Sequence, residues 1–261
     1  FKYSDTSIIS NIYTESHGKV SFLIQGARKQ KAKLKPNLFQ PFFLLDLEIY
    51  YKEKRQLQKI KEARNAYPFQ SILYNNSKRA IAIFLAEVLN KTIQSEDIDN
   101  QLFKFISNHI KILDIKEKRL ANFHLYFLIQ LTKFLGFYPQ NNFNAENQFF
   151  DLKNGYFTKS KPFHNHHLDN KESEMFHEIM KYSTDQHENL NISPSLRKKL
   201  LDKTIDFYYL HLGNMQFSIL LDPSVPKCSM RAANVLPNLA SADLECSTFV
   251  ESHGIELQRS L

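Results

Sequence analysis

The sequence predicts an α+β chain in which a small all-β barrel is followed by an α-helical bundle. Apolar residues recur with a period near two in the first quarter and near 3.6 from residue 77 onward. Several short β-rich segments are crowded into that first quarter, which suits strongly twisted strands that close on themselves. The 261 residues, 43% of them hydrophobic, suffice for two modest domains, each with a core. The expected organisation is a barrel over 1–70, a helical domain over 71–221 with an irregular insert at about 139–170, and a tail over 222–261.

Each strand has its own signal. Residues 7–14 are β-rich, Gly18 sits in the turn 15–19 where a positive φ is needed, and 20–26 returns as the partner strand of a hairpin. Residues 27–37 are too charged and too poor in large apolar side chains to be buried, so they read as an exposed loop. Residues 39–51 form a long apolar-rich strand region. A final strand covers 56–63, with Lys59 and Lys61 at alternate positions on one face.

The helices follow from caps and periodicity. Ser77 is the expected N-cap of a helix whose apolar face is Ile81, Phe84, Leu85, Val88 and Leu89. A second begins near Asp97 and gathers Ile98, Leu102, Phe105, Ile106 and Ile110 on one side. The third, over 120–135, is apolar nearly all round, as suits a bundle centre, and ends at Gly136 in the C′ position. A short helix over 172–181 and a last one over 196–212, started by Ser193-Pro194-Ser195, complete the body. Residues 139–170 are rich in Asn, Phe and His and show no period. The tail has 1 Lys in 40 residues against 25 in the preceding 221, and no helical or strand period runs through it. It reads as unrelated to the fold, with a natural linker as the other reading.

Several function classes fall away. No apolar run approaches the ~20 residues of a membrane span and no secretory leader is visible, so a soluble, cytoplasmic chain is expected. The two cysteines, Cys228 and Cys246, both lie in the tail, which removes a disulfide scaffold or a cysteine-rich zinc site from the body. There is no phosphate-binding glycine loop, no nucleophile elbow and no compact acidic cluster, so neither catalysis nor a cofactor is expected. His164, His166 and His167, with His177 further on and Asp169 or Glu172 as oxygen donors, are the one metal-like grouping. In an aperiodic stretch without cysteine they read as polar surface, with weak metal binding as the alternative.

Charge is the positive signal. The chain carries a net +7, and residues 1–64 alone hold 13 Lys+Arg against 6 Asp+Glu, while the rest holds 21 of each. A basic excess confined to one region suits a phosphate-bearing partner; a generally lysine-rich surface would not leave the remainder neutral. The loop Arg28, Lys29, Lys31, Lys33 and Lys35 has five basic residues in eight and no acid, a density that gains by releasing counterions from phosphates. Flanking strands carry Phe22, Phe39, Phe42, Phe43, Tyr50 and Tyr51. Aromatic platforms in a basic groove suit single strands, although most of these rings are expected in the barrel core. A second cluster, Lys52, Lys54, Arg55, Lys59, Lys61 and Arg64, opposed only by Glu53 and Glu62, extends the positive surface or else guards an edge strand. Lys19 joins the candidate DNA-binding set.

Particular strings then bear on identity. Tyr3-Ser4-Asp5-Thr6-Ser7, Thr14-Glu15-Ser16-His17-Gly18-Lys19-Val20, Gly26-Ala27-Arg28-Lys29 and Leu38-Phe39-Gln40-Pro41-Phe42 occur in that order. Leu135-Gly136-Phe137-Tyr138-Pro139 and Asp206-Phe207-Tyr208-Tyr209-Leu210-His211-Leu212-Gly213 follow. Together, over about residues 2–215, they resemble the RecO family of bacterial recombination mediators. The resemblance implies an OB-fold barrel followed by a helical domain. It implies binding of single- and double-stranded DNA and annealing of complementary strands. Its implied partners are RecR and the acidic C-terminal tail of single-strand binding protein, in aid of RecA loading at the nucleoid. A barrel adaptor for an acidic protein partner is the alternative.

Three departures stand out. Many RecO relatives carry two Cys-x-x-Cys pairs after the Gly-Phe-x-Pro segment, whereas 140–170 has none here, so their zinc site does not carry over and phenylalanine packing is expected instead. The chain starts at Phe1, where the family has an earlier strand. The first barrel strand is therefore expected to be missing, leaving 7–14 as an open edge. Finally, nothing beyond 221 resembles the family.

Overall fold

The computed structural model describes residues 5–94, 98–117, 120–181, 190–213 and 255–259. In chain order the strands and helices are β1 (Ile8–Thr14), β2 (Gly18–Ile24), β3 (Leu44–Tyr50), β4 (Leu57–Asn65), α1 (Asn76–Thr92), α2 (Asn100–Ile115), α3 (Phe123–Leu131), β5 (Phe149–Asp151), β6 (Tyr156–Thr158), α4 (Asn170–Lys181), α5 (Pro194–Leu212) and β7 (Ile255–Arg259). They fall into two compact units, Phe1–Ile115 with Phe217–Leu261, and Lys116–Gln216. Helices α1 and α2 thus group with the barrel, although their 3.6 period had placed them with the later helices.

The barrel of the first unit is closed in the order β1-β2-β4-β3-β7. β1 and β2 pair antiparallel from Ile8↔Ile24 to Thr14↔Gly18, and Gly18 takes φ 61 at the turn. Thr14 Oγ1 accepts the His17 N–H at 3.0 Å and donates to Gly18 O at 2.9 Å, which fixes the loop. β4 runs parallel to β2 and antiparallel to β3, with a register shift between Glu48 and Ile49. Ile8, Ile12, Val20, Phe22, Ile24, Ala27, Phe39, Leu45 and Leu47 fill the interior.

The expected open edge is absent, because β1 pairs with β7 as well as with β2. β7 lies parallel to both β1 and β3. Ile255-Glu256-Leu257-Gln258 alternates apolar and polar residues over four positions, a local period of two that the composition of the 40-residue tail hides. The rest of 222–261 lies outside the described residues.

Before β3 the chain turns at Gln40-Pro41-Phe42-Phe43, with the Phe43 N–H on Gln40 O at 3.2 Å. Phe42 holds φ 68, the left-handed value usually given to glycine at that position of a type II turn, while its side chain is buried. The barrel exit is anchored by Asp114 of α2. Its carboxylate accepts the N–H groups of Gln70, Ser71 and Ile72 at 2.8–2.9 Å, and its carbonyl accepts the buried Lys78 ammonium at 2.7 Å. The N-cap of α1 is Asn75, two residues before Ser77; its Oδ1 accepts the N–H of Ser77 and of Lys78.

In the second unit α3 stops at Leu131, four residues short of expectation, and the chain tightens to Gly136 at φ 83. The Phe137 N–H then reaches back to Thr132 O at 3.1 Å, closing a Schellman-type end. Asp169 and Glu172 cap α4 reciprocally. Ser193 caps α5, with Pro194 in its first turn. The stretch read as aperiodic contains a short antiparallel hairpin, β5–β6. Its inward Phe150 and Phe157 pack with Phe176 and Phe207 in a core that Phe137 and Phe143 cover, so phenylalanines do fill this segment.

Candidate nucleic-acid interface

The basic loop is ordered by two consecutive turns. The Lys29 N–H donates to Gly26 O and the Ala32 N–H to Lys29 O, both at 3.0 Å, with Gly26 at φ 67. From Lys31 onward exposure alternates along it. Lys29, Lys31, Lys33 and Lys35 face solvent, whereas Ala32 and Leu34 are half-buried and Leu34 packs on the barrel core. Small apolar anchors therefore tack the loop down while four ammonium groups project. Arg28 is half-buried, its N–H donating to Thr6 O at 3.1 Å. Lys33 pairs with Glu62 of β4 at 2.9 Å, and that hydrogen bond holds the Glu62 carboxyl below its usual range.

A second set of cations is lifted by the β3–β4 hairpin. Its tip is organised by one buried side chain, Gln58. Gln58 Oε1 accepts the Lys52 N–H at 2.9 Å, and Nε2 donates to Lys52 O at 2.8 Å and Arg55 O at 2.7 Å. Lys52, Lys54 and Arg55 are exposed on this tip, and Lys59 is exposed just beyond. The register shift spoils the simple alternation expected of Lys59 and Lys61, yet both stay outside. Lys61 bonds Glu48 across the strands, which raises its pKa, and Arg64 lies 3.4 Å from Asp46. The basic row on β4 is thus partly neutralised, and the hairpin tip less so.

The aromatic residues divide by burial. Phe22 and Phe39 lie in the barrel core and Phe42 and Phe43 are buried in the turn before β3, while Tyr50 and Tyr51 are 55% and 41% exposed beside the basic tip. The ring of His17, from the β1–β2 loop, packs against that of Tyr51 at a tilt of 40°, with ring centres 4.2 Å apart. A ring pair next to free cations is what a single strand needs, one part for bases and the other for phosphates. The sequence had not singled out Gln58 or His17. The signal for Gln58 was an amide at an inward strand position beside a charged turn.

Lys19 belongs elsewhere. Its ammonium donates to Asn90 O at 2.5 Å and Ile93 O at 2.8 Å, carbonyls that end α1, and burial lowers its pKa. It satisfies the C-terminal end of a helix dipole, so its ammonium is already engaged within the fold. The histidines are equally committed. His164 Nε2 sits 3.4 Å from the buried Asp151, His167 Nδ1 donates to His164 O at 2.7 Å, the His166 ring lies tilted 6.1 Å from that of His164, and His177 bonds Asn141. Among the described residues no three His, Cys, Asp or Glu side chains come together to hold a metal. With no cysteine in 140–170, the donors present do not fit the zinc of the cysteine-bearing relatives. Nor, among the described residues, is any helix long and apolar enough to cross a membrane.

Comparison with known proteins adds to this geometry. The family model described as "Recombination protein O N terminal" matches residues 1–69, and "Recombination protein O C terminal" matches 76–218. The DNA repair protein RecO of Azobacteroides pseudotrichonymphae is 36% identical over 211 residues, covering 81% of this chain and 88% of its own. That of Phocaeicola vulgatus is 35% identical over 84% of this chain and 91% of its own, and that of Flavobacterium psychrophilum 34% over 82% and 89%. The α+β order of an OB-like barrel followed by a helical domain agrees with both matches. The chain belongs to the RecO family of DNA repair proteins, which mediate recombination without catalysing a reaction.

Proposed function

We propose that the barrel, over residues 1–70, is the DNA-binding domain, and that it holds single- and double-stranded DNA through the loop lysines and the β3–β4 tip. The observation that carries this is the row Lys29, Lys31, Lys33 and Lys35, exposed on a loop that Leu34 ties to the barrel core, together with the exposed Tyr50 and Tyr51 of the β3–β4 hairpin. Arg28, Lys52, Lys54, Arg55, Lys59 and Lys61 extend the field; Lys19 supports α1 instead. Bound in this way, the protein anneals complementary strands in the cytoplasm, on the nucleoid. With RecR and the C-terminal tail of single-strand binding protein it assists RecA loading.

The test is a salt titration of binding to single-stranded DNA. Reversing Lys29, Lys31 and Lys33 to Glu should weaken binding of every sequence alike by at least ~10-fold at moderate salt and flatten the salt slope. Unchanged affinity would reduce the loop to a solvated decoration. Competition by an acidic peptide but not by DNA would support an adaptor instead.

A further inference from the structure

We infer that the second unit carries its own single-strand site, on the β5–β6 hairpin and the loop after it; this rests on the DNA-binding reading above and extends it. Residues 153–163 contain Lys153, Lys159 and Lys161 and no acid. All three lysines are exposed, and Lys159 meets only the exposed Glu146, at 3.4 Å. Among them stand two aromatic residues that the core does not take, Tyr156 at 40% exposure and Phe163 fully exposed at 111%.

This ring is presented by a fixed support. Asp151 binds the hairpin tip through the N–H groups of Lys153 and Asn154 and the Asn154 side-chain amide. The chain returning after Phe163 lies along β5, with the Leu152 N–H on His166 O at 3.0 Å and the Leu168 N–H on Phe150 O at 2.9 Å. His164, the neighbour of Phe163, is drawn to Asp151 at 3.4 Å. Thr158 Oγ1 also donates to Ser160 O at 3.0 Å within the loop. A ring held out by an ordered loop loses little freedom when it binds, so stacking is gained with a small entropic cost.

The occupant follows from the chemistry. An apolar protein partner would find two exposed rings set among lysines rather than a broad apolar patch. Unpaired bases offer flat faces to Phe163 and Tyr156 and phosphates to the lysines, and such stacking is tolerant of sequence. A mediator with two strand sites on one chain can hold two complementary strands at once.

The chain has no tryptophan, so Phe163→Trp introduces a single indole. Full-length Phe163→Trp protein is titrated with a labelled oligothymidine, reading oligonucleotide anisotropy and indole emission together. The emission should be quenched in step with binding. Quenching should persist when Lys29, Lys31 and Lys33 are reversed to Glu. In that background Phe163→Ala should lower single-strand affinity by ~5-fold or more, leave duplex affinity unchanged, and be rescued by Phe163→Tyr. Saturating DNA binding with unchanged indole emission would overturn this site and leave the barrel reading standing. If the wild-type chain binds no single strand at all, both readings fall.

Discussion

Two hairpins lift lysines to the surface, one in each unit, and they are held in opposite ways. The β3–β4 tip is tied by the neutral amide of Gln58, which accepts one N–H and donates to two carbonyls. The β5–β6 tip is tied by the carboxylate of Asp151, which only accepts. Burial alone would raise the Asp151 carboxyl, but the hydrogen bonds from Asn154 and Lys153, with His164 nearby, hold it below the usual range. The lesson is that the same task, closing a charged turn, can be made indifferent to pH or dependent on it by one side chain.

Exchanging the two chemistries should expose the difference. Gln58→Glu puts a carboxylate against two carbonyl oxygens in a buried place, and should cost about 3–5 kcal/mol at neutral pH, as an unpaired buried charge does. Denaturant melting at pH 7 and pH 4 checks this, since protonation should restore part of the loss. Equal stability at both values would show that the tip does not need the amide.

Acid should act next, and on the second unit. Burial, with the Arg197 guanidinium adding to it, pushes the His124 pKa down to about 4, and burial lowers His177 as well. Their imidazoles stay neutral in the fold while an unfolded chain takes up protons below about pH 6.5. The stability they contribute is complete above that pH and lost as pH falls toward 4, at most about 3 kcal/mol for His124. Asp151 extends the loss as pH falls further, through its lowered folded value. Because Asp151 stays ionised until the pH falls below the ordinary carboxylate range, amide exchange compared at about pH 5 and about pH 3 should show the Lys153 and Asn154 N–H groups losing protection while that of Lys52 keeps it.

The smaller effects lie in the conservative changes. Asp151→Asn keeps an acceptor for the Lys153 and Asn154 N–H groups and should lose only about 1 kcal/mol, removing the lowest part of the acid sensitivity. Lys33→Ala breaks an ion pair exposed at both ends and should leave the melting temperature nearly unchanged while still weakening DNA binding. A melting temperature and a binding isotherm on the same sample separate the two.

What was legible in the sequence depended on distance along the chain. Gly18 and Ser193-Pro194 act on neighbours a few residues away, and the turn and helix start they announce are where they should be, whereas Gly136 closes a turn that follows the earlier end of α3. The lysine loop was equally readable, since charge density is a local property. Lys19 was not, because the carbonyls it serves lie 71 and 74 residues later. The β5–β6 hairpin escaped because each strand has three residues, too few to establish a period. Ser77 and Asn75 are both good caps, and the choice between them depends on where the loop held by Asp114 releases the chain.

Phe42 leaves its position with no neutral neighbour in sequence space. Its backbone asks for glycine, since φ 68 strains any side chain by about 1 kcal/mol or more, while its ring asks to stay, since it is almost wholly buried. Glycine would relax the turn and empty the core. Leucine or alanine would keep the strain and lose part of the packing, a loss of several kcal/mol for the smaller residue. Pro41 limits escape further, because its ring fixes the residue before the turn's left-handed step. A random walk through tolerated variants would therefore circulate around this pair rather than through it, and the ends of β3 would drift only as far as the turn allows.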